Sequence, residues 1–139
     1  MKKTSELAEV AKAMAKIDFC MMQTFRGEDI DCRPMSNNSE VEYDGDSWFF
    51  SFSNTDKVAE LEEDNRVHLT FSDPSGPSFI AVWGTGKVED DVELKKQLWQ
   101  RQLEKWFGDK GPEDSEVTLI KVTAKKIRTW GKIGEQVLE

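Results

Sequence analysis

Arg33 and Lys57 bracket an aromatic run, Trp48-Phe49-Phe50-Ser51-Phe52, that is followed by Ser53, Asn54 and Thr55. Two cations, several hydroxyls and an apolar strand are the ingredients for holding a flat anionic ligand. Residues 56–63 place Val58, Ala59 and Leu61 among Glu60, Glu62 and Glu63, which predicts a short helix with Ser53, Asn54 or Thr55 available as its N-cap. A phosphate fits the start of such a helix, because the first amides have no partner inside the helix and the dipole is positive there. The hydroxyls of Ser51, Ser53 and Thr55 donate to it, Lys57 adds a full charge, and the Arg33 guanidinium forks onto the same oxygens. The stretch also reads as ordinary structure: alternation about Phe49 and Ser51 puts Trp48, Phe50 and Phe52 on one face of a strand, packed in a core ahead of a capped helix. Residue types alone leave both readings open.

Other chemistries find little in the chain. Cys20 and Cys32 are the only cysteines and His68 the only histidine, too few for a structural zinc site and spaced like no metal motif, so no metal is expected. The cysteines fall on adjacent predicted strands, where their side chains approach one another as reduced thiols. His68 is out of phase with Val67, Leu69 and Phe71 and is expected as a polar residue on the less buried face of a strand. No Gly-x-Ser-x-Gly elbow is present. Gly84-Thr85-Gly86-Lys87 lacks the rest of a Walker loop, with Ala81 and Val88 in the required glycine and hydroxyl positions, so these glycines mark a bulge, a bend or a close approach in a strand. A net charge of -8 argues against nonspecific nucleic-acid binding.

The elements that position these residues are mostly strands. At 139 residues, 37% hydrophobic and 33% charged, the chain is expected to form one domain, residues 1–139, with a single core. No apolar run approaches the roughly 18 residues of a membrane span, and the N-terminus lacks the apolar region of a signal peptide, so a cytoplasmic location is expected. Residues 4–16 read as an amphipathic helix with Leu7, Val10, Ala11 and Met14 on one face, capped by Thr4 or Ser5. Strands over 17–25 and 30–39 and the aromatic strand are expected as a meander, joined by turns at Arg26-Gly27-Glu28-Asp29 and Asp44-Gly45. Pro34 places the Arg33-Pro34-Met35 segment at an edge or bulge. Residues 66–72 and 78–88 form another hairpin. Residues 90–107 read as one helix with Val92, Trp99, Leu103 and Trp106 on a core stripe, and residues 117–130 as a last strand region interrupted near Ala124. So many strands with few helices point to a mainly β fold, a closed or split β-barrel with flanking helices.

The order and spacing of Arg33-Pro34-Met35, Trp48-Phe49-Phe50-Ser51, Lys57, Asp64-Asn65-Arg66-Val67, Leu69-Thr70-Phe71-Ser72-Asp73, Gly84-Thr85-Gly86, Leu98-Trp99, Trp106-Phe107 and Trp130 resemble a known family over nearly the whole chain. It is that of the FMN-binding split β-barrels related to pyridoxamine 5'-phosphate oxidase, in particular the general stress protein 26 branch. The resemblance implies a homodimer with flavin mononucleotide (FMN) in two equivalent sites at the subunit interface. Carried over residue by residue, it implies that Arg33 and Lys57 grip the phosphate with Ser51 and Thr55, and that Met35 and Ser36 lie along the isoalloxazine edge. Phe50 then lines the groove, and Trp130 either approaches the flavin from the second subunit or serves as an interface aromatic.

The implied function is a flavin-binding general stress protein acting as a flavin-dependent oxidoreductase on a small, unidentified substrate. The alternatives are a stress protein that binds or senses flavin without turnover, or a split barrel that takes haem or a deazaflavin. No catalytic side chain is assigned, since flavin carries the redox chemistry itself. Departures count against pyridoxamine phosphate oxidation: Phe79 stands where those enzymes carry a glutamine, and their terminal Arg-x-His segment is missing. Asp56 beside Lys57 also weakens the implied phosphate site.

Overall fold

The computed structural model describes residues 1–139. The chain runs α1 (Ser5–Met14), β1 (Phe19–Arg26), β2 (Asp29–Ser36), β3 (Asp46–Phe52), α2 (Asp56–Glu63), β4 (Arg66–Asp73), β5 (Ser78–Glu89), α3 (Val92–Leu98), a 3-10 turn at Arg101–Leu103, α4 (Glu104–Phe107), β6 (Val117–Gly131) and β7 (Gln136–Leu138). In α1, Thr4 accepts from the Leu7 amide at 3.1 Å and Leu7, Val10 and Met14 turn inward, as the periodicity requires. Gly27, with φ of 63°, closes the β1–β2 hairpin between Arg26 and Asp29. β2 ends at Ser36, short of the expected 39, and just beyond it the Asn37 amide side chain donates to the Met14 and Ile17 carbonyls at 3.0 and 2.8 Å.

All strands pair antiparallel in the order β2-β1-β4-β5-β6-β3, with β7 added to β6. The expected meander is therefore corrected: β3 does not continue from β2 but crosses to pair with β6, Phe49 opposite Ile120 and Phe52 opposite Val117. The 15-residue β6 has room for both β5 and β3, and its Leu119 and Ile120 bury side chains on opposite faces. β2 and β3 end as the two outer strands of one curled sheet, with no ladder joining them, which makes the fold a split β-barrel. The interruption expected near Ala124 is a bulge: Trp83 pairs with Lys126 and Gly84 with Ala124, leaving Lys125 unpaired. Gly84 belongs there because a Cβ would collide with the Thr123 carbonyl.

The main core fills the barrel with Met22, Phe49, Leu69, Phe71, Ile80, Val82, Ile120 and Ile127, among others, and α1 closes one side. Phe49, not the Trp48-Phe50-Phe52 face, enters this core. That face packs instead against a smaller cluster with Leu103, Phe107, Val117 and Leu119. The helix expected over 90–107 is broken, since Trp99 and Gln100 are extended between α3 and the 3-10 turn. Contacts explain the break: Asn38 donates to the Leu98 carbonyl at 3.2 Å, the buried Lys95 ammonium donates to the Val117 carbonyl at 2.8 Å, and Trp99 packs edge-on against Phe50 with ring centroids 5.0 Å apart. The expected stripe divides accordingly. Leu103 is buried, while Trp106 is 52% exposed and anchors no core. The expected approach of the cysteines also fails, because Cys20 points into the barrel and Cys32, opposite Gln23, lies exposed on the outer face. No helix is long and apolar enough to cross a membrane.

Candidate functional site

The seam between β2 and β3 holds a cavity of about 280 Å³. Pro34, Met35 and Ser36 line it from one edge strand and Phe50, Ser51 and Phe52 from the other. Pro34 has no amide to donate, so it blunts the open edge of β2, as expected from its type. Phe19 at the start of β1 and Leu103, Trp106 and Phe107 from the segment after α3 close the apolar end, and Thr55 and Lys57 at the start of α2 form the polar end.

The polar end combines unshielded backbone donors, hydroxyls and one cation. Thr55 is the N-cap residue of α2 but makes no capping bond, so no side chain shields the first-turn amides. Its hydroxyl and that of Ser51 both donate to the Phe52 carbonyl at 3.0 Å and lie 3.3 Å apart. Lys57 is half-buried and joins no ion pair. Burial holds its pKa below the ordinary lysine value, the Arg33 charge lowers it further, and Asp56 acts in the opposite sense. The Arg33 charge thus reaches Lys57 even though Arg33 is paired with Glu60.

The structure brings Met35, Ser36, Phe50, Ser51, Thr55 and Lys57 into this one cavity. Arg33 lies behind it. Its register with Met22 turns it inward, where the guanidinium donates to Thr24 Oγ1 at 2.7 Å, to the Met22 carbonyl at 3.3 Å and to Glu60 Oε1 at 3.4 Å. The Glu60 carboxylate is buried and also accepts from Thr24 at 2.7 Å, so the Arg33 charge is paired inside the fold. Trp130 does not line the cavity of its own chain. It lies on the outer face of β6, opposite Phe79, with the Arg128 guanidinium 4.9 Å from its ring centroid. Sequence reasoning missed Phe19, Leu103, Trp106 and Phe107 as lining residues and Glu60 as the partner of Arg33. Phe19 carried a signal, being a large apolar residue out of phase with the inward Cys20 and Met22. His68 faces away on the outer sheet surface, bonded through Nδ1 to Gln23, with Nε2 buried and unpartnered.

Residues 5–138 match the model of the family described as "Pyridoxamine 5'-phosphate oxidase like", and the chain belongs to that family. It is 29% identical over 77 residues to general stress protein 26 of Bacillus subtilis, a match covering 53% of this chain and 54% of that protein. Thus the chain spans about half the length of the curated relative it matches. Among solved structures, the general stress FMN/FAD binding protein from Xanthomonas citri is 26% identical with a TM-score of 0.79, covering 98% of this chain and 95% of that one. General stress protein 26 from Bacillus anthracis superposes with a TM-score of 0.80 at 21% identity, covering 96% and 98%, which supports the same fold.

Proposed function

We propose that the chain is a flavin-binding stress protein that holds FMN in the seam cavity and uses it in oxidoreduction of a small substrate. The observation that carries this reading is the polarity of the cavity: an uncapped helix start with the Lys57 cation at one end, and a wall of aromatic and aliphatic side chains at the other. A phosphate ester suits the first and a flat, largely apolar ring the second. The FMN/FAD binding of the Xanthomonas citri protein supports the choice of flavin. In this assignment Lys57 and the first-turn amides of α2 hold the phosphate, with Ser51 and Thr55 turning their hydroxyls from the Phe52 carbonyl toward it. Arg33 supplies a second charge from behind. Met35, Ser36 and Phe50 border the ring. Bound flavin supplies the redox chemistry, while these residues orient the ring and exclude water from it. His68, the only imidazole, lies outside the cavity, which weighs against haem.

The site is completed by a second copy of the chain in this reading. A cavity of about 280 Å³ lies just below the range of roughly 300–1,000 Å³ usual for cofactor sites. The outer face of the sheet beside it carries exposed apolar side chains, Phe19, Met21, Ile30 and Phe79. Register places Phe19, Ser72, Phe79 and Trp130 in one row across that face. At ~4.8 Å per strand, Trp130 stands about 14 Å from Phe19, too far to reach the cavity of its own chain. A twofold partner seated on the face carries its own Trp130 toward the cavity, so the subunit-interface role requires a dimer.

Fluorescence titration of cofactor-stripped protein with FMN and with riboflavin tests the reading. Saturable quenching by both, tighter for FMN, is expected. Absence of binding by either refutes it.

A further inference from the structure

Trp106 is a large aromatic side chain left half in solvent where the helical pattern had placed it in the core. The break at Trp99 and Gln100 turns the last helical piece, so that Leu103 and Phe107 point inward and Trp106 comes to the cavity rim. Phe107 is fixed by Phe52 and Trp99, with ring centroids 4.8 and 5.6 Å away, and Gly108, with φ of 63°, ends the turn. Trp106 is therefore mounted on an anchored element. Its ring meets Phe19 edge to face at 6.3 Å and 87°, with the Lys105 ammonium 5.4 Å from its centroid. About half of the residue is left exposed, at 52%. An exposed tryptophan held by its neighbours beside a cavity is a ready surface for a planar ligand.

We propose that Trp106 is a further ring-contacting residue of the seam cavity, presenting its indole to the planar ring system while Phe19 holds the indole edge-on. This rests on the flavin reading and extends it, because it adds α4 to the strand residues that border the ring and leaves phosphate recognition to α2. The two ends then respond independently to substitution.

The test uses the full-length protein in three forms: wild type, Trp106→Ala and Trp106→Phe. Riboflavin and FMN dissociation constants, the depth of flavin fluorescence quenching, the circular dichroism spectrum and the mass by light scattering are measured for each. Trp106→Ala is expected to weaken both ligands by the same factor, about tenfold, and to reduce quenching, with fold and mass unchanged. Trp106→Phe, which keeps a ring, is expected to recover most of the affinity. Affinity and quenching within twofold of wild type in Trp106→Ala overturn the proposal while leaving the flavin reading intact. A loss in Trp106→Ala that tracks a change of mass or fold, with no recovery in Trp106→Phe, also overturns it, since the residue is then structural. Failure of wild type to bind either flavin removes the flavin reading itself.

Discussion

Replacing Lys57 with alanine separates the phosphate from the ring. Lys57 is the one cation lining the seam cavity, and it makes no ion pair that removal would orphan. Its charge is already partly desolvated in the folded chain, as the direction of its pKa shift records, so a bound phosphate meets a cation that has lost part of its hydration. A hydrogen bond between charged partners is worth about 1.5–3 kcal/mol net. Two unit charges ~4 Å apart at an effective dielectric of about 20 attract by ~4 kcal/mol, before the opposing effects of salt and of Asp56 and Glu60. A loss of ~2 kcal/mol is thus expected for FMN, a dissociation constant about 30-fold weaker, whereas riboflavin changes by less than about twofold. Arg33→Ala is a less clean probe, because it also strips the buried Glu60 carboxylate of its cation. The assay is parallel titration with both flavins, repeated across pH. The preference for FMN should strengthen as the phosphate loses its second proton near pH ~6 and fade as Lys57 deprotonates, at a pH below that of an ordinary lysine. Equal losses for the two flavins, or no loss for FMN, would refute the assignment.

Other consequences are as sharp. Gly84→Ala should destabilise the fold by about 3 kcal/mol, because the added methyl meets the Thr123 backbone, whereas Gly86→Ala meets only the Leu61 and Val67 side chains and should cost about 1 kcal/mol; urea unfolding compares them. Burial holds the His68 pKa below 6.5, so the unfolded chain binds the proton more readily. The stabilisation from a neutral His68 is complete above pH ~6.5 and is lost as pH falls through the folded-state value; thermal melts of His68→Gln should lack that part of the acid-side slope. Met21→Asp, on the uncovered outer face, should halve the mass by light scattering and weaken FMN at least tenfold while leaving the circular dichroism unchanged; an unaltered dimer contradicts the proposed interface.

Local rules were legible where local physics decides. The α1 face, the edge position of Pro34 and the bulge opposite Gly84 all follow from residue type and spacing. The cap expected on α2 does not form, because the Thr55 hydroxyl donates back to the Phe52 carbonyl. The sheet order was not legible, because the alternation in β3 is the same whether it pairs with β2 or with β6. Both faces of β3 are covered, so Phe49 enters the barrel core while Trp48, Phe50 and Phe52 meet the smaller cluster. The helical stripe misled for a different reason. A hydrogen bond from Asn38, far away in the chain, meets the Leu98 carbonyl at the break, and Trp99 packs on Phe50 of β3. That break gives Trp106 to the cavity. Six of the eight residues proposed for the site share one cavity. Arg33 was placed correctly at its edge strand, but its inward partners Thr24 and Glu60 depend on register that no local pattern encodes.

The central claim is a flavin held at the barrel seam and completed by a second chain. The most direct test is an equilibrium titration of stripped protein with FMN in which bound flavin and molar mass are read on the same sample. Two flavins per dimer, with affinity falling as dilution releases monomers, is the expected result; a monomer that binds FMN with undiminished affinity, or a dimer that binds none, contradicts it.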